Sequence, residues 1–319
     1  MTRLTKFLHR SSRGVGPGRA VVALRRGRRL AAFGILLALL GIVVPNSGHE
    51  DARFALIKLN QVHGVDAADH VVWILALGSD ARPGQPFLGS RSDAIQLVGI
   101  NAKTHHAVTI GVPRDSYVDI PGHGRDKINA AMVYGGPQAT AAAVANLVGI
   151  RPDYVFVTSF KGMIRMVGGI NGIRVKVTFN MNDQGQVFHP GMTELSGVEA
   201  LAFSRIRHGL PRGDFDRSYD QGQVLKGGLA SVKTKSARKG FFERALERFA
   251  RYTDTNLGPV ELYRLAQTVM QVNPRLVRTC VLNGGIGTAG AASVVFPNVA
   301  AAHALGRDVR HDATVNGSC

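Results

Sequence analysis

Three stretches of the chain gather acids and arginines at spacings suited to a phosphate and a hard cation. The first, ALGSDARPGQPFLGSRSDAI, holds Asp80, Arg82, Arg91 and Asp93. Within each pair, acid and base stand two residues apart, so in extended backbone both side chains point to the same side. Two carboxylates at the ends of adjacent strands could share Mg²⁺, which takes one or two carboxylates with phosphate oxygens and water. The same residue types also crowd ordinary surface turns, so this loop does not decide by itself.

The second stretch, VPRDSYVDIPGHGRDKINAAMVYGG, brings Arg114, Asp115, Arg125, Asp126 and Lys127 to the end of a strand and the start of a helix, where Asp126 reads as a cap. The third is LAFSRIRHGLPRGDFDRSYDQGQVL. Arg205 and Arg207 would splay about 200° apart on a helix but align in extended chain, so for both to hold one phosphate a helix must end near Phe203. Arg217 and Gln221, four apart, share a face of the following helix, with Asp214 one turn earlier. A guanidinium offers a planar fork of donors that fits phosphate oxygens. Arginine-bearing turns beside apolar helices suggest a pyrophosphate whose lipid tail lies in an apolar slot. A solvated charged face explains any one cluster and explains three of them less well.

The elements that must position these side chains begin at Val71. Apolar, β-branched runs at 71–77, 94–100 and 106–112 are separated by Gly, Pro and Asn and read as neighbouring strands. An Ala-rich helix over about 127–148 follows, then a strand near 153–158, a helix near 160–168 and a strand near 172–178. Helices are expected at about 196–204, 215–232, 240–252 and 259–271, with a strand near 276–282 and a last segment at 293–310. Alternating strands and helices predict an α/β body, layered α-β-α, formed as one domain by 71–319.

The formal charge of +17 raises the question of nucleic acid, but nine of those charges fall in residues 1–29, which hold no acid. The remaining +8 suits an anionic ligand without requiring DNA. Directly after this basic tail comes the uncharged run LAAFGILLALLGIVVP, which with Asn46 predicts a transmembrane signal anchor over 30–46. Basic residues before it and Glu50 and Asp51 after it place the N-terminus in the cytosol and the body outside. A cleaved signal peptide is the rival reading and a buried core helix the plain one. Residues 47–70 read as a stalk or short helix. Cys280 and Cys319 are the only cysteines, and in an oxidising compartment two thiols pair more often than they catalyse, which predicts a disulfide tethering the C-terminus.

GSDAR with RSDAI, then VPRDSYVDIPGHGRDKINAAMVYGG, then FSRIRHG followed by GDFDR and Gln221, resemble the successive motifs of the LytR-CpsA-Psr family in order and spacing over about residues 71–232. The resemblance implies an α-β-α fold with a central mixed sheet and a hydrophobic tunnel for a polyprenyl-pyrophosphate-linked glycan. It also implies transfer of that glycan to peptidoglycan through a phosphodiester, outside the membrane. Asp80 and Asp93 match the Mg²⁺ (or Mn²⁺) ligands, while Arg82, Arg91, Arg114, Arg205, Arg207, Arg217 and Gln221 match the pyrophosphate-binding positions. Arg114 and Asp115 stand as the catalytic pair. Asp115 is the candidate general base, although a carboxylate beside Arg114 could equally orient that arginine. Two departures concern substrate positioning: an arginine of the family pattern is Asp220 here, and a glutamine is Gly222. Gly222, Gly227 and Gly228 are expected to weaken their helix.

Two other patterns compete. Residues 285–290 spell G-x-G-x-x-G, but too little chain follows for a dinucleotide-binding unit. Ser236 and Lys239 form an S-x-x-K with no further penicillin-binding signature around it. Beside the transferase, the sequence leaves a lipid-pyrophosphate hydrolase and a non-enzymatic transcriptional attenuator as alternatives.

Overall fold

From Trp73 onward the run VVWILALGS buries alternate residues and leaves the others half-buried, as a central strand between two layers does. In the computed structural model, which describes residues 54–59, 70–82, 84–183, 185–317 and 319, this run is β2 (Val71–Ser79). The basic tail at 1–29 and the anchor at 30–46 lie outside the described residues, and among the described residues no helix is long and apolar enough to cross a membrane.

The main sheet also contains β1 (Phe54–Lys58), β3 (Ser92–Asn101) and β4 (Ala107–Gly111). After the hairpin β5 (Tyr117–Ile120) and β6 (Gly124–Lys127) comes β7 (Tyr154–Ser159). Two small ladders follow, with β8 (Ile173–Val177) on β11 (Gly191–Leu195) and β9 (Met181–Asp183) on β10 (Gln186–Phe188). Last are β12 (Thr253–Thr255), β13 (Val277–Val281) and the hairpin β14 (Gly284–Ala289) with β15 (Ala292–Pro297). The seven-stranded sheet runs β12-β1-β7-β2-β3-β4-β13 and is mixed: β2 is parallel to β7 and antiparallel to β3.

The helices are α1 (Ala131–Val148), α2 (Phe160–Gly169), α3 (Gly197–Phe203) and α4 (Asp214–Ser236), then α5 (Phe241–Arg251), α6 (Pro259–Gln271) and α7 (Val299–Val309). On one face of the sheet Leu75, Leu77, Ile95, Leu97, Ile110 and Val157 pack with Ala141, Val144 and Leu147 of α1 and Ala302 and Val309 of α7. Each such side chain contributes roughly 1.5–3 kcal/mol by leaving water. The opposite face points at α2, α4, α5 and α6 and is treated with the site below. The expected α-β-α layering with a mixed sheet is what the chain forms.

Two expectations need correction. Phe54–Lys58 falls in the expected stalk, yet it is a sheet strand between β12 and β7. A four-residue apolar run between Arg53 and Lys58 is too short for its period to separate strand from helix. The Ala-rich helix begins at Ala131 instead of about 127, because Gly124–Lys127 turns back as β6 and Ile128–Ala130 forms a 3-10 turn. G-x-G-x-x-G lies in the antiparallel hairpin β14–β15, with no helix at its end to receive a phosphate.

Candidate active site

Helix α3 ends at Phe203, as the spacing of Arg205 and Arg207 requires. Its start is fixed by a capping box in which Ser196 and Glu199 satisfy each other's backbone amides. Beyond Phe203 the chain turns, so Arg205 and Arg207 both reach one cavity of about 190 Å³. The same cavity is lined by Asp93, Arg114, Arg217 and Gln221, so residues of all three sequence clusters meet there.

Arg114, at the end of β4, forms an ion pair with Asp93 on β3 and lies 3.9 Å from Asp115. Burial works against its charge, but the contact with Asp93 outweighs that and holds the guanidinium above its ordinary pKa. Asp115 is further held by Lys127 at 2.8 Å, which places the foot of β6 against the site. Arg217 is 4% exposed and pairs with Asp214 one turn before it. Burial pulls the pKa of Arg217 down and pushes that of Asp214 up, each against the attraction of its partner. Gln221 donates to the carbonyls of Asp93 (3.3 Å) and Ser204 (3.1 Å), tying α4 to β3 and to the end of α3. Arg205 sits over the ring of Phe160, 4.5 Å from its centre.

Asp80, Arg82 and Arg91 do not line this cavity but flank it. The amide of Asp80 donates to the carbonyl of Arg91 at 2.9 Å, which joins the two ends of the first loop. Burial raises the Asp80 carboxyl above its ordinary value and the charge of Asp93 raises it further, while Arg91, Arg114 and Arg82 lower it. Burial and Asp93 thus disfavour the charged form of Asp80, against the attraction of the three arginines. A pair of carboxylates beside phosphate oxygens fits Mg²⁺ chemistry. Among the described residues no group of three or more His, Cys, Asp or Glu side chains could hold a metal.

The site also contains residues that sequence reasoning passed over. Ser159, Phe160, Met163 and Ser204 line the cavity. Phe160 follows directly on β7, and an aromatic at a strand-to-helix junction was the signal available. Asp220 and Gly222 are not among the residues lining the cavity. Asp220 is 1% exposed, and a side chain at 222 would meet Thr279 Cγ2 at 2.5 Å and Thr109 Oγ1 at 2.9 Å. Glycine at 222 thus lets α4 approach β4 and β13, and the helix runs unbroken over Asp214–Ser236.

Behind the charged cavity lies a second, apolar one of about 1000 Å³. Its floor is the sheet face left uncovered by α1 and α7, including Leu56, Ile74, Ala76, Val98, Ala107 and Phe156. Two or four residues away along the same strands, and so on the same face, Gly78, Ala94 and Thr158 belong to the charged cavity. The walls continue likewise: Met163 and Gln221 line the charged cavity, and Met166 and Leu225, about one helical turn on, line the apolar one. Cys280 and Cys319 are joined in a disulfide at the edge strand β13.

Comparison with known proteins places this geometry. TagU of Bacillus anthracis, a polyisoprenyl-teichoic acid–peptidoglycan teichoic acid transferase, is 33% identical over 193 residues, covering 60% of this chain and 62% of that protein. TagU of Bacillus subtilis is 36% identical over 155 residues, covering 48% of this chain and 50% of its own. The chain therefore spans about half to three fifths of the length of these relatives. Among solved structures, TagT with bound octaprenyl pyrophosphate lipid is 25% identical with a TM-score of 0.61, covering 84% of this chain and 98% of that one. TagT bound to LIIa-WTA is 26% identical with a TM-score of 0.64, covering 80% and 95%. The model of the LytR_cpsA_psr family matches residues 46–305, and the chain belongs to that family.

Proposed function

We propose that the protein is a phosphotransferase that moves a glycan phosphate from a polyprenyl-pyrophosphate carrier to peptidoglycan. The observation that carries this reading is the sheet face shared by an arginine-lined cavity and an apolar cavity of about 1000 Å³. A molecule with a pyrophosphate at the end of a long hydrocarbon matches that pair of surfaces. The relatives' names supply the acceptor, since TagU is named for transfer to peptidoglycan.

In this reading Arg114, Arg205, Arg207 and Arg217 grip the pyrophosphate inside the cavity, and Arg82 and Arg91 approach it from the rim. Gln221 fixes the spacing of α4 and β3 around them. An acceptor hydroxyl attacks the glycan-side phosphorus, the bond from that phosphorus to the bridging oxygen breaks, and polyprenyl phosphate leaves with the electron pair. The hydroxyl proton passes to Asp115, whose carboxylate Lys127 and Arg114 hold beside the site. The arginines are fixed before reaction, so they stabilise the developing charge without reorganising. Asp80 and Asp93 are the residues to hold Mg²⁺ (or Mn²⁺), which would neutralise phosphate charge when bound.

The same reading places the body outside the membrane on an anchor at 30–46, supported by the basic tail before it and by the Cys280–Cys319 disulfide. The test uses purified lipid-linked glycan with and without peptidoglycan. Glycan phosphate joined to peptidoglycan is the expected product. Release of free glycan phosphate at the same rate with or without acceptor would make the protein a hydrolase. Protection of the C-terminal body from protease in intact cells would contradict the topology.

A further inference from the structure

The hairpin β14–β15 holds the glycine-rich segment that resembled a nucleotide motif, and the phosphate site leaves it unused. It is tied to the site at one point. The amide of Val295 donates to the carbonyl of Asp115 at 2.9 Å, and Ser116 bridges to Val295. The next residue, Phe296, is 41% exposed and stands edge-on to Tyr117 of β5, with ring centres 6.0 Å apart. Arg125 of β6 lies 5.0 Å over the other partner of that contact, the Tyr117 ring. In the β5–β6 register Tyr117 opposes Lys127 and Asp119 opposes Arg125, so Tyr117, Asp119, Arg125 and Lys127 share one face of that hairpin. Lys127 reaches Asp115. Phe296, Tyr117 and Arg125 therefore form an aromatic and cationic surface that begins at the candidate base.

Glycine is needed to seat the ring: a side chain at 287 would meet Phe296 Cε2 at 2.9 Å. An exposed phenylalanine held by a glycine cradle and a tyrosine edge is a built surface. Its place relative to the lipid matters as well. No residue of either hairpin lines the apolar cavity. In a displacement at phosphorus the nucleophile enters roughly in line with and opposite the leaving group. With the leaving polyprenyl phosphate drawn toward the apolar cavity, the acceptor must enter from the side away from it, and Asp115 and these hairpins adjoin the charged site without lining the apolar cavity.

We propose that Phe296, Tyr117 and Arg125 form the acceptor platform, on which a peptidoglycan glycan strand lies while its hydroxyl is presented to the phosphorus. The inference rests on the transferase reading. Sugar rings have CH-rich faces that stack on aromatic rings, and the peptide stems of such a strand carry carboxylates for Arg125.

The experiment is direct binding of soluble, uncrosslinked peptidoglycan strands to the full-length protein in detergent, beside steady-state transfer kinetics. Phe296→Ala and Arg125→Gln should each weaken strand binding and raise the acceptor KM about 3- to 10-fold, with the carrier KM unchanged. Phe296→Trp should restore binding. Equal strand binding by the wild type and Phe296→Ala, or a change in the carrier KM alone, would overturn the platform. A wild type that binds strands through Phe296 but delivers no glycan to them would bear out the platform and overturn the transferase reading.

Discussion

Arg205 and Arg217 line one cavity at very different depths, and on the proposed reading their substitutions should separate binding from folding. Arg205 is exposed and rests on Phe160, so Arg205→Ala should cost only about 0.5–1 kcal/mol of stability. Its effect belongs in transfer, with kcat/KM down by about 10² or more. Arg217→Ala strands the buried carboxylate of Asp214 and should cost about 3–5 kcal/mol, read by denaturant unfolding. Asp93→Ala removes a partly exposed ion pair, so the fold should survive while transfer falls by about 10²–10³. Full activity of that variant with purified lipid-linked substrate would sink the metal assignment. Asp220 is a further case, its pKa pushed up to about 7 by burial and then by Asp216. The native state therefore holds a proton that the unfolded chain releases near pH 4. Stability contributed by neutral Asp220 should fall between about pH 4 and 7, by up to about 1.4 kcal/mol per pH unit. Asp220→Asn should flatten that slope in unfolding measured across this window. The acids and arginines of the site were legible in the sequence because they cluster in three loops. Ser204 was not, since a single residue of common type carries no pattern, and Phe160 offered only its place as an aromatic at a strand-to-helix junction.

At the scale of elements, α4 shows why glycine cannot be judged by helix propensity alone. At 222 and 227 an added Cβ would strike neighbouring strands, meeting Thr279 at 2.5 Å and the carbonyl oxygen of Arg174 at 2.4 Å, whereas at 228 it would meet nothing within 4 Å. Gly227→Ala and Gly222→Ala should therefore destabilise by about 1–3 kcal/mol, while Gly228→Ala should stabilise by about 0.5–1 kcal/mol. Thermal unfolding of the three variants checks the opposite signs. The long, strongly patterned elements were readable, from Val71–Ser79 through the helix Pro259–Gln271. The strand Phe54–Lys58 and the three-residue strands Met181–Asp183, Gln186–Phe188 and Thr253–Thr255 were not, because their pairing comes from distant chain and not from local period.

For the whole molecule, the proposed function depends on two cavities on one sheet face. The charged one was foreshadowed by motif order. The apolar one was suggested by apolar helices beside the arginines and implied by the resemblance, but its lining was not legible, being drawn from residues as far apart as Phe54, Phe156, Leu229 and Val277 with no local run to mark it. The measurement that tests the account most directly is an electron-density map of the protein with a polyprenyl-pyrophosphate analogue and Mg²⁺. The account predicts the pyrophosphate among Arg114, Arg205, Arg207 and Arg217, a cation between it and Asp80 and Asp93, and the prenyl chain along Ala76, Val98 and Phe156. A prenyl chain outside the apolar cavity, or a pyrophosphate untouched by these arginines, would contradict it.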